Sequence, residues 1–197
     1  MTVEGYHVQL GLPANLRAEA ARLYWHAFGS KLGLVMGPEA RALDYLHLVI
    51  RADHAIVAVS DSGRLLGLAG FKTPQGSFAA GSPAEMRASY GTMGGTWRAR
   101  LLGFLTDEID NENFLLDGLC VVPDLRGQGI GSDLMSAIGE EARLRGYPSV
   151  RLDVIESNLG AQALYRRLGF VETRRADIGL LRYIFGFRSA VTMVRQL

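Results

Sequence analysis

The sequence predicts an α+β fold in which helices flank a single mixed β-sheet. Two stretches carry that expectation. His54–Lys72, HAIVAVSDSGRLLGLAGFK, reads as two β-rich runs joined by Asp61, Ser62 and Gly63, whose turn chemistry makes an antiparallel hairpin. Leu115–Ile155 reads as a strand, a glycine-rich loop, a helix and a second strand. There are no internal repeats and no low-complexity tract, so 197 residues are taken as one domain, 1–197.

In chain order, Val3–Leu10 is expected as a first strand. From Pro13 a helical stripe of Leu16, Ala20, Leu23, Tyr24 and Ala27 is expected to end near Gly29. Pro38 suits a first helical position, and Ala42, Leu43, Leu46 and Val49 continue a second helix to about Ile50. After the hairpin, Thr73–Gly95 is rich in Gly, Ser, Pro and Ala and lacks a period, so it reads as a loop with one helical turn. Trp97–Ile109 regains helical spacing through Leu101, Leu102 and Leu105. Leu115–Val122 is a buried strand ended by Pro123, and Ile130, Leu134, Ile138 and Ala142 form the next helical face. Gly146-Tyr147-Pro148 breaks that helix, Ser149–Ile155 alternates as a strand, and Asn158 caps a short helix. Phe170–Arg174 and Leu180–Val194, the latter interrupted at Gly186, are read as the last β segments.

Hydrophobic residues make up 48% of the chain, ample for a sizeable core. Lys+Arg 21 against Asp+Glu 20 leaves a net charge of +1, which offers no general attraction to nucleic acid or to an anionic membrane. One cysteine, Cys120, forms no internal disulfide, and the N-terminus lacks a basic start followed by an apolar run, so a cytoplasmic protein is expected. His7, His26, His47 and His54 have no ligand-like spacing, and no metal is expected.

The chemistry centres on Leu115–Ser132, LLDGLCVVPDLRGQGIGS. Gly127, Gly129 and Gly131 let backbone approach a ligand closely, and the amides of Gln128, Ile130 and the first helical turn point outward at the positive end of the helix dipole. Such a loop suits a pyrophosphate. Arg126 adds a guanidinium fork matched to phosphate oxygens, and Ser132 adds a hydroxyl donor.

The spacing Arg126-x-x-Gly129-x-Gly131 after a strand ending in Val-Pro resembles the acetyl-CoA loop of the Gcn5-related N-acetyltransferases (GNAT). A second signature follows downstream: Asn158, Ala161, Tyr165, Gly169 and Phe170 resemble that family's Asn-x-x-Ala-x-x-x-Tyr-x-x-x-Gly-Phe helix. The resemblance covers Leu115–Glu172. It implies the acyl-CoA N-acyltransferase fold, with a mostly antiparallel sheet, and acetyl-CoA as acyl donor to a primary amine on a small molecule or a protein. A coenzyme-binding core at about 113–175 and acceptor-site elements at about 13–50 and 73–110 follow from it. It further implies that Asn158 bonds the pantetheine, which lies along the backbone of Cys120, Val121 and Val122. Small enzymes of this kind frequently form homodimers.

Acetyl transfer to an amine poses two proton problems. At pH 7 roughly one amine molecule in 2,500 is neutral and able to attack, and the departing thiolate leaves more readily if protonated. Tyr165 is the candidate acid, as the family's matching tyrosine implies. Asp117 is the candidate base: the alternation of the strand places this carboxylate beside Leu119 and Val121, where an apolar residue is expected. Glu156, after the next strand, competes for the role. Cys120 is expected on the opposite face from Asp117 as a buried structural thiol.

Two other functions fit parts of the pattern. A dinucleotide-dependent oxidoreductase shares the strand, glycine loop, helix and a later Asp153, but Ser132 replaces the third glycine and the loop lies past the midpoint of the chain. A non-catalytic acyl-CoA sensor on the same fold would not need both Tyr165 and Asp117.

Overall fold

The computed structural model describes residues 5–79, 81–106 and 112–197, the last three of the second segment by backbone alone. Strand β1 (Tyr6–Leu10) is followed by helices α1 (Arg17–Met36) and α2 (Glu39–Val49), then by the hairpin β2 (Ala55–Ser60) and β3 (Leu65–Thr73). Next come the two-residue strand β4 (Gly76–Ser77), α3 (Pro83–Tyr90), α4 (Thr92–Thr106) and β5 (Phe114–Val121). The chain continues through α5 (Ile130–Leu144), β6 (Ser149–Ile155), α6 (Leu159–Arg167), β7 (Val171–Asp177), α7 (Arg182–Phe185) and β8 (Ser189–Gln196). Val3 and Ile109, assigned above to a strand and a helix, lie outside the described residues.

All eight strands form one sheet in the order β1-β2-β3-β5-β6-β8-β7, with β4 paired to β3. Among the described residues only β5 and β6 run parallel; every other pair is antiparallel, as a mostly antiparallel mixed sheet requires. Helices cover both faces. Ala55, Val57 and Val59 of β2 pack with α1 and α2, while Ile56 and Ala58 pack with the α5 face built on Leu134, Ile138 and Ala142. Burial on both sides explains why the hairpin reads as nearly continuous apolar sequence rather than a clean alternation.

Four expectations need correction. Helix α1 does not stop near Gly29 but runs to Met36. A glycine inside a helix costs about 1 kcal/mol, and burial of Val35 and Met36, each contributing about 1.5–3 kcal/mol, outweighs it. Thr73–Gly95 is not a loop: Ser82 caps α3 in a reciprocal capping box with Glu85, Pro83 holds the first helical position, and α4 begins at Thr92, ahead of Trp97. The stretch 179–185 is helical rather than β, and only Ser189–Gln196 forms the last strand. Its apolar residues include Phe185, which docks in the core beside α1, so burial there came from a helical turn.

The fourth concerns β5. The β3–β5 register shifts between Gly70 and Phe71, so that Gly70 faces Gly118 and Phe71 faces Leu116, leaving Asp117 as the extra residue of a β-bulge. Past the bulge the alternation inverts. Leu116, Leu119 and Val121 face α5, while Asp117, Gly118 and Cys120 face α1. Asp117 therefore does not share a face with Leu119 and Val121, and Cys120 is on its side of the sheet, not the opposite one.

Candidate active site

Strands β5 and β6 pair over three residues only, Phe114–Leu116 against Val150–Leu152. Beyond that point β5 continues to Val121 beside β3 and β6 continues to Ile155 beside β8, so the sheet forks. The N-terminus of α5 and the body of α6 close over the fork: a Cβ built on Gly131 would lie 3.5 Å from Leu164, 3.8 Å from Val121 and 3.9 Å from Leu119.

The glycine loop stands at the end of β5. Gly127 and Gly129 have φ of +77° and +96°, the left-handed region that side-chain-bearing residues avoid, and Gly129 is the N-cap of α5. Ser132 and Asp133 donate their amides to the Gly129 carbonyl at 2.8 and 3.1 Å. The amides of Gly127, Gln128, Gly129, Ile130 and Gly131 find no backbone acceptor among the described residues. Donors arranged in this way at a helix N-terminus suit an anion. Arg126 is exposed beside it and folds back so that Nε donates to the Val121 carbonyl at 3.3 Å, while Ile130 is buried and anchors the helix in the core.

Val122 has both backbone groups engaged: its amide donates to Leu66 and its carbonyl accepts from Leu125, each at 2.9 Å. Cys120 and Val121 lie opposite Leu68 and Gly67 of β3. Asn158 caps α6, its Oδ1 accepting from the Ala161 amide at 3.2 Å, and its side-chain NH₂ is a further donor.

Tyr165 projects from α6 into the core, its ring centroid 5.8 Å from that of Phe170. Burial raises its pKa, with the Cys120 thiol as a second cause, so the phenol keeps its proton at neutral pH. Cys120 is itself buried, which pushes its pKa up to about 12 and leaves it without thiolate character.

On the other face of the fork lies a cavity of about 470 Å³ between the sheet and helices α1 to α4, lined by Tyr24, Phe28, Met36, Met86, Ile155 and Asp117 among others. Gly118 leaves room for Phe28, whose ring would stand 3.0 Å from an added Cβ. Asp117 accepts a hydrogen bond from Ser77 Oγ at 2.7 Å. Burial raises its pKa above the carboxylate norm, opposed by Ser77, the Ala79 amide and the charges of Lys72 and His54. Tyr24, buried next to it, is raised by burial and by the Asp117 charge. Glu156 is placed differently: it terminates β6, accepts from Ser189 Oγ, and is not part of the cavity wall. Sequence reasoning missed Ser77 and Tyr24, and only the paired register of β4 could have revealed Ser77.

The acetyltransferase (GNAT) family model matches residues 18–170. The chain belongs to that family. Among curated GNAT and related acetyltransferases, a thialysine N-ε-acetyltransferase of Bos taurus is 37% identical over 65 residues, 33% of this chain and 38% of that protein. A [ribosomal protein bS18]-alanine N-acetyltransferase of Escherichia coli (strain K12) is 32% identical over 77 residues, 39% of this chain and 52% of that protein. The matched stretches thus span about two-fifths to half the length of these relatives. A crystal structure of the ribosomal-protein-S18-alanine N-acetyltransferase from Escherichia coli superposes with a TM-score of 0.59 at 17% identity, covering 98% of this chain and 94% of that one, which shows the GNAT fold. Among the described residues no helix is long and apolar enough to cross a membrane, and no three His, Cys, Asp or Glu side chains cluster as metal ligands.

Proposed function

We propose that this GNAT protein transfers an acetyl group from acetyl-CoA directly to a primary amine. The observation that carries the reading is the fork: β5 and β6 part after Leu116 and Leu152, and the anion cradle of 126–132 stands at the end of the β5 arm. The exposed amides and Arg126 suit a pyrophosphate, and the open arm at Cys120 and Val121 suits an extended chain carrying amides, which pairs with a strand edge like an added strand. Asn158 would donate to that chain from the other side.

Bound acetyl-CoA would supply an acyl carbon activated as a thioester. Asp117 takes one proton from the ammonium so that the neutral nitrogen can bond to that carbon, and the burial that raises its pKa brings its basicity closer to the amine's; the second N–H proton, shed as the amide forms, restores the Tyr165 phenol. Tyr165 gives its phenolic proton to the sulfur as the C–S bond breaks, and its raised pKa keeps that proton in place beforehand. Glu156 serves the β6 arm by bonding Ser189, and Asp117 has the better claim to the base because it lies in the cavity wall.

Thermal unfolding with acetyl-CoA, CoA and NAD(H) tests the donor, because a ligand that binds only the folded state raises the melting temperature. Acetyl-CoA and CoA are expected to raise it and NAD(H) to leave it unchanged; the reverse pattern would restore the oxidoreductase. Arg126→Ala is expected to weaken acetyl-CoA about tenfold by calorimetry, a charge-assisted hydrogen bond's share.

A further inference from the structure

The cavity opposite the donor loop has a chemical character of its own. Its wall is built from Tyr24, Phe28, Met36, Leu46, Met86 and Phe187, and it carries one carboxylate among the described residues, Asp117, which is buried against Ser77. Two cations also line it, Lys31 and Lys72. From this we propose that the acceptor is an apolar monoamine, an aryl or alkyl body bearing a single amine, seated with its nitrogen at Asp117; the proposal rests on the acetyl-transfer reading above.

The argument is one of charge and desolvation. About 470 Å³ holds a small molecule, and an apolar wall rewards each buried methylene. One ammonium finds a partner in Asp117. A second cationic group on the same molecule would lie against aromatic and aliphatic side chains with no further carboxylate on the described wall, and buried unpaired charge is strongly disfavoured. Lys31 adds like-charge repulsion. Polyamines and guanidinium-bearing amines are therefore poor fits, whatever their reactivity in solution. Asp117 stands at the root of the fork, one residue beyond the last β5–β6 pair, so an amine held there faces the gap through which the donor's acyl group would enter.

The experiment follows thiol release from acetyl-CoA with n-alkylamines from propylamine to hexylamine, phenethylamine, phenylalanine, agmatine and spermidine. Along the alkyl series kcat/KM is expected to rise about fourfold per methylene, the transfer free energy of one buried CH₂. Phenethylamine should exceed spermidine and agmatine at least tenfold. Ala99→Phe, which fills the cavity from α4, should abolish most phenethylamine turnover and the melting shift that phenethylamine alone produces, while the acetyl-CoA shift persists. Should that variant fail to fold, Lys31→Ala, at the wall, should raise the ratio of spermidine to phenethylamine turnover severalfold. A flat alkyl series, or spermidine as the better substrate, would overturn the proposal. Phenylalanine outperforming phenethylamine would overturn it as well, by assigning the two lysines to a carboxylate. Loss of the acetyl-CoA melting shift in the wild type would instead remove the acetyl-transfer reading itself.

Discussion

Asp117, the proposed base, is a side chain at which reactivity would be gained at the expense of stability. Its pKa is raised in the folded protein, chiefly by burial, so folding disfavours its ionised form. The sign follows from linkage: the folded state is relatively favoured where the carboxyl is protonated in both states, below its ordinary pKa of 3.8, and loses that advantage as pH rises through the raised value. Asp117→Asn, which keeps an acceptor for Ser77, is therefore expected to gain stability relative to wild type as pH climbs from 4 to 8, read from melting temperatures at each pH. A difference that stays constant across that range would show that the carboxyl titrates normally. The same variant should lose acetyl transfer. Tyr165→Phe separates the second proton step: kcat is expected to fall about a hundredfold or more while acetyl-CoA affinity by calorimetry stays the same. A wild-type kcat would leave Tyr165 as a buried aromatic packed on Phe170.

Helix α3 and the loop before α5 are the elements on which the two halves of the proposed site depend. Ser82 and Glu85 satisfy the first amides of α3, and that helix carries Met86 into the cavity wall. Ser82→Ala is expected to cost about 1 kcal/mol in denaturant unfolding and to raise KM for the acceptor with little effect on acetyl-CoA. Gly129 is different, because nothing lies within 4 Å of where its Cβ would stand, yet its φ is +96°. Gly129→Ala thus meets no clash, only the strain of a left-handed residue, about 1–2 kcal/mol, and any loss of acetyl-CoA binding beyond that measures distortion of the cradle. The Ser-Pro-x-Glu signature of α3 was legible in the sequence, but the surrounding glycines and alanines concealed it in a window without apolar period. Helix α1 was cut short for a related reason: Gly29 reads locally as a stop, and only tertiary burial of Val35 and Met36 overrides it.

Across the molecule, the sheet divides the chemistry. The proposed donor cradle and α5 lie at one side of the fork, and the apolar cavity proposed for the acceptor lies at the other, under α1 to α4, so each ligand should leave its own footprint. Acetyl-CoA is expected to slow hydrogen exchange of the Gly127–Gly131 amides, which have no backbone acceptor among the described residues, and to leave α3 unprotected. Protection spread evenly over α3 and α5 would mean general stiffening rather than a bound pyrophosphate. The hairpin, the strand–loop–helix unit, the glycine cradle and the Asn158-to-Phe170 signature were all readable from residue order, because element type and helix-terminus chemistry are set by neighbours a few positions apart. Which face Asp117 and Cys120 occupy was not. A bulge is a mismatch between two strands, β3 and β5, that lie far apart in the sequence, and a one-residue slip turns every following side chain to the other face. The fork has the same origin, since the end of parallel pairing after Leu116 depends on where β6 sits beside β8. Residue order therefore named the acid, the base and the cradle as candidates, while long-range register alone aimed the carboxylate into a cavity that four helices close.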